Sequence, residues 1–155
     1  MHHKRATALR QQCAAYAPGN TDLSWTRITP WRALLAAALD APHPTIKGAR
    51  VAAEVGNPSA DLLGAWLSAR LKVPVTRAHD GGPGITEVSL HTSKGDIALT
   101  RLDGSVATYS SPGQPDRRVA LRRRDLPELL TEELRRLDED NVYAEAVAEL
   151  MRLEA

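Results

Sequence analysis

The chain contains no phenylalanine, a single cysteine and no long apolar run, and its acidic and basic side chains nearly cancel. Each shortage removes a class of protein. One cysteine in 155 residues allows no internal disulfide, no thiol redox couple and no multi-thiolate zinc site, so a reducing cytoplasm is the expected compartment. Nothing approaches the run of about 20 apolar residues that a membrane-spanning helix needs, and the start, MHHKRATALRQQ, lacks the apolar core of a signal peptide; no membrane partner is expected. With 20 basic and 19 acidic side chains the net charge is +1, which gives no general attraction for polyanions. A charge-based function therefore has to be local.

What is present suits a single domain over 1–155, long enough to bury roughly 70% of the surface of its unfolded chain. The opening helical pattern has no start signal of its own, the expectation for a piece of a longer protein. In it Ala6, Leu9, Cys13 and Tyr16 recur at helical spacing, so Cys13 reads as a buried structural thiol. After APGNTD the stretch DLSWTRITPWRALLAAALD leads, through a Thr29 cap and Pro30, into a helix over about 30–39. Ala49, Val51, Ala53 and Val55 alternate as a strand, NPSADLLGAWLSARL is a helix capped by Asn57 or Ser59, and VPVTRAH is a second strand. That order is a βαβ unit with parallel strands.

Hairpins follow: ITEVSLHT, IALTRL and SVATYS, with a type I′ turn expected at Asp103-Gly104, a loop at SPGQPD, and one more strand at RRVALR. Asp125 and Glu128 have capping-box spacing ahead of a helix whose inward face is expected to be Leu126, Leu130, Leu134 and Leu137. A last helix would bury Val142, Ala146, Leu150 and Leu153. The predicted fold is α/β of mixed α+β character: a two-layer sandwich, one βαβ unit followed by antiparallel hairpins, with helices from both ends of the chain packed on one face.

No catalytic signature appears. There is no G-x-S-x-G, and Ser59 and Ser93 read as a helix cap and a turn residue. His43, His79 and His91 are scattered, so no metal site is expected, and no cofactor-binding motif is found. HDGGPG leads into a strand and lacks the helix N-terminus of a phosphate-binding loop. In RRVALRRR, Arg118, Arg122 and Arg124 would share one strand face, read first as solvated, second as a protein contact and only third as a nucleic-acid site. Trp25, Arg27, Trp31 and Arg32 crowd eight residues of a chain whose only aromatics are three tryptophans and three tyrosines. They either pin the helix to the sheet, the preferred reading, or form an interface hot spot, where aromatics and arginine concentrate.

The stretches DLSWTRITPWRALL, DLLGAWLSARL, DIALTR and LLTEELRRLDEDNVYAEAV together resemble the glucose-6-phosphate dehydrogenase assembly protein (OpcA) family of actinobacteria and cyanobacteria, in its C-terminal half. The resemblance implies a longer parent with an N-terminal α/β half outside this chain. It implies a non-enzymatic factor that assembles or activates glucose-6-phosphate dehydrogenase, the source of NADPH in the pentose phosphate pathway, by protein–protein contact. Neither nucleic acid nor cofactor is implied, no oligomeric state follows, and the partner-facing candidates are Trp25, Arg27, Trp31, Arg32, Arg118, Arg122 and Arg124. Two alternatives stand beside it: a regulatory domain binding sugar phosphates or nucleotides through Arg27, Arg32 or the strand arginines, and a nucleic-acid site over Arg117 to Arg124.

Overall fold

The structure, a computed structural model, describes residues 2–17, 22–135 and 139–155, with the side chains of 2–6 outside that description. The elements run α1 (His2–Ala14), α2 (Leu23–Arg27), α3 (Thr29–Asp40), β1 (Ile46–Ala53), α4 (Pro58–Leu71), β2 (Val75–His79), β3 (Ile85–Thr92), β4 (Gly95–Thr100), β5 (Val106–Ser111), β6 (Gln114–Ala120), α5 (Leu126–Leu134) and α6 (Asn141–Glu154). The six strands form one open sheet in the order β2-β1-β3-β4-β5-β6. Only β1 and β2 pair in parallel; every other pairing is antiparallel. The expected βαβ unit and hairpin series are both present.

The inward phase of the sheet reads directly from its register. Ala49 stands opposite Leu90, Val51 opposite Val88, Leu90 opposite Ile97 and Val88 opposite Leu99, and all are buried. Helix α4 lies on this layer through Leu62, Leu63, Trp66 and Leu67. Asn57 caps it, its side chain accepting from the Ala60 N–H at 3.0 Å, and Lys72 ends it in the left-handed region at φ 56°. Arg77 on β2 ties the helix to the strands, donating to Asp61 at 2.9 Å and to the Val51 carbonyl at 2.7 Å. Leu9 and Cys13 of α1 and Tyr143, Ala146, Val147 and Leu150 of α6 complete the core. Burial, with the charges of Asp22 and Glu154 beside it, pushes the Cys13 thiol up to about 11, as a structural thiol requires.

Several local expectations are corrected. Ahead of the helix expected over about 30–39, residues 23–27 form a further short helix, α2, which Asp22 caps by accepting from the Ser24 N–H at 2.7 Å. Thr29 is not the cap of α3; Ile28 is the joint between the two helices, and Thr29 instead accepts from Arg32 Nη2 at 3.2 Å. The Asp103-Gly104 turn is not type I′, since Gly104 alone of the pair has positive φ; Asp103 accepts from the N–H groups of Ser105 and Val106 in a side-chain-built turn. SPGQPD is not all loop: β6 already begins at Gln114, and Pro115 is tolerated because β6 is the edge strand. Strand β1 stops at Ala53, leaving Val55 exposed.

The largest correction concerns α5. Leu126, Leu130 and Leu134 are exposed at 54%, 45% and 79%, while Leu129 is fully buried. In α6 the buried face is rotated so that Tyr143 and Val147 are inside and Leu153 is out. Leu137 lies outside the described residues.

Candidate functional site

The short helix α2 lies where the remote parts of the chain meet. Trp25 is 2% exposed; its indole N–H donates to Asp140, its ring lies 5.4 Å from Tyr143, and the Arg32 guanidinium covers it at 3.8 Å from the centroid. Thr26 donates through its hydroxyl to Glu133 on α5, and its carbonyl accepts from Arg124 at 2.9 Å. Arg27 in turn donates to the Arg124 carbonyl at 2.8 Å. Trp31, also 2% exposed, lies beneath Arg101, whose guanidinium carbon is 5.0 Å from the ring centroid. The tryptophan and arginine concentration is thus two cation–π pairs at the junction of helices and sheet, each contributing on the order of 1 kcal/mol. Both tryptophans are buried in this fold, the arrangement of the reading in which they pin the helix to the sheet.

The arginines separate into two sets. Arg118 is exposed on β6, but Arg122 and Arg124 lie beyond the end of that strand, so the three do not share a strand face. Arg122 pairs with Glu128 and Arg124 with Glu132, both on α5. These pairings neutralise much of the basic run. They also hold the Glu128 carboxyl down at about 2, Arg122 being the largest cause and the Asp125 N–H of the capping box the next.

Arg27, Arg101 and Arg123 are different. Among the described residues none of the three has a carboxylate ion-pair partner. Arg101 is 5% exposed, donates to the carbonyls of Leu121 at 2.8 Å and Ile85 at 3.1 Å, and has a buried Nε with no hydrogen-bond partner. Burial, then the charge of Arg123, lowers its pKa, with Arg27 adding to the effect and Asp103 opposing it. Burial followed by Arg123 and Arg124 lowers that of Arg27. All three arginines line one narrow cleft of about 20 Å³, together with Trp31, Asn57 and Gly84. Gly84 has φ +64°, and a methyl group built on it would stand 3.7 Å from Arg123 Cζ and 3.9 Å from Arg101 Nη2. Two guanidinium groups therefore converge on one point above a residue with no side chain.

Nothing in this arrangement resembles a nucleophile–base pair. His91 sits 3.0 Å from Asp96 at the exposed β3–β4 turn, and no group of three or more metal-ligating side chains occurs among the described residues. No helix among them is long and apolar enough to cross a membrane.

The family model for the C-terminal domain of the glucose-6-phosphate dehydrogenase subunit (OpcA) matches residues 18–147. The chain belongs to this family. A search of curated proteins gives no significant match. The family match runs from ahead of α2 into α6, so every arginine of the cleft falls within the OpcA domain, whereas Cys13 and α1 lie before it.

Sequence reasoning named Arg27, held Arg123 only within the basic run Arg117 to Arg124, and missed Arg101. The signal for Arg101 was in the strand phase: Ile97, Leu99 and Arg101 follow one another at alternate, inward positions, and an arginine there is expensive to bury unless something answers its charge. Arg123 had no comparable signal, because its approach to Gly84 depends on how the segment after β6 folds back.

Proposed function

We propose that this protein is a non-enzymatic partner of glucose-6-phosphate dehydrogenase that assembles or activates the enzyme through protein contact in the cytoplasm. The observation that carries this reading is the family match over residues 18–147, which spans the sheet, α2 to α5 and half of α6. The contact surface is the side of the molecule where α5 and the segment after β6 meet. There the exposed leucines Leu126, Leu130 and Leu134 lie on a helix whose Glu128 pairs with Arg122, with Arg27 and Arg124 half-buried behind; Arg118 is exposed on the edge strand β6. An apolar ridge rimmed by arginine has the composition of a protein interface. Trp25, Trp31 and Arg32 support this side from beneath.

The reading is tested by adding the protein to purified dehydrogenase and following both the oligomer distribution and the rate of NADPH formation. A shift in either, weakened by Leu130→Glu together with Leu134→Glu, supports it. Unchanged oligomers and unchanged rate reject it.

A further inference from the structure

We propose that the cleft formed by Arg27, Arg101 and Arg123 is an oxyanion site that holds the phosphoryl group of a small phosphate monoester. Arg101 is the first argument. A guanidinium that is 5% exposed, set over Trp31 and bonded to two carbonyls but ion-paired with no carboxylate among the described residues, is an incomplete arrangement, since a buried cation is costly without a bonded opposing charge. A bound anion supplies that charge.

Geometry gives the second argument. Gly84 leaves free the point on which Arg101 Nη2 and Arg123 Cζ converge at 3.9 and 3.7 Å, and its positive φ of +64° disfavours any other residue there. Asn57 and Ser59, from the N-terminal turn of the 14-residue α4, line the same cleft and add the positive end of that helix.

Size and charge select the ligand. The cleft is narrow, with room at its floor for little more than one water-sized group, so only phosphoryl oxygens enter and a sugar ring or a base stays in solvent. Three guanidiniums match a phosphate dianion better than a single carboxylate, and their planar donors suit phosphoryl oxygens. A bound anion offsets the burial that chiefly lowers the pKa of Arg27 and Arg101, and the charge of Arg123 that adds to it.

Phosphate binding of this kind is separate from association with the dehydrogenase and is tested without it, so the two fail independently. Thermal unfolding and calorimetric titration of the protein are followed with inorganic phosphate and glucose 6-phosphate, against glucose and chloride at matched ionic strength. Saturable stabilisation by both phosphates and none by glucose is expected. Arg123→Ser removes an exposed side chain without disturbing the core and should weaken binding roughly tenfold or more, the loss of one charge-assisted contact. Arg70→Ser, at the far end of α4, should bind as the unaltered protein does. Absence of saturable binding overturns the proposal, as does equal binding by Arg123→Ser.

Discussion

The indole N–H of Trp25 donates to Asp140 Oδ2 at 2.8 Å, joining residues 115 positions apart, while Asp140 Oδ1 accepts from the Tyr143 N–H at 2.9 Å and so caps α6. One carboxylate therefore fixes both α2 and the start of the last helix. Because α2 also holds α5 through Thr26, the front of the chain organises its end. Trp25→Phe keeps most of the buried ring but removes the donor, and should destabilise the fold by about 1–3 kcal/mol. Urea denaturation monitored by circular dichroism measures this as a lower midpoint at unchanged slope.

Helix α5 gives a sharper contrast between neighbouring positions. Leu129 is fully buried and Leu130 is 45% exposed. Leu129→Ala should cost about 2–5 kcal/mol, whereas Leu130→Ala should stay within about 0.5 kcal/mol. Comparing the two variants by the same denaturation experiment checks which face points inward.

The legible parts of the fold were those where one periodicity ruled. Alternation along β4, the Leu62–Leu67 face of α4 and the Asp125–Glu128 capping box all follow from local rules, and the structure contains each of them. Helix α5 defeated periodicity because it offers two apolar stripes and docks mainly through polar contacts. Glu132 and Glu133 reach Arg124 and Thr26, so only Leu129 needs to be inside. The candidate site was half legible. Tryptophan and arginine density pointed to the region around α2, but the arginines nearest the cleft, Arg101 and Arg123, come from β4's end and the β6–α5 connection, and their meeting at Gly84 is a tertiary event. Type I′ geometry at Asp103 failed for a local reason, since its carboxylate accepts from the N–H groups of Ser105 and Val106 with no positive φ at Asp103 itself.

Acid sensitivity is predicted at the α4–α6 contact. Arg152 donates twice to Glu149, at 2.9 and 2.8 Å, and Ser68 on α4 donates at 2.6 Å. Chiefly the Arg152 bonds, then Ser68, hold the Glu149 carboxyl down at about 2, against an ordinary 4.5. A carboxyl depressed in the folded state contributes stability above its unfolded pKa and loses it as pH falls through the folded one. The contribution is thus complete above about pH 4.5 and gone near pH 2. Glu149→Gln should lower stability at neutral pH and flatten its decline across that window, measured as denaturation midpoint against pH.

Association with glucose-6-phosphate dehydrogenase is tested most directly by gel filtration of the two proteins co-expressed from the same organism. Co-elution as one species, broken up by Leu130→Glu with Leu134→Glu although each protein remains folded, is the predicted result. Separate elution of the two unaltered proteins at every concentration would contradict it.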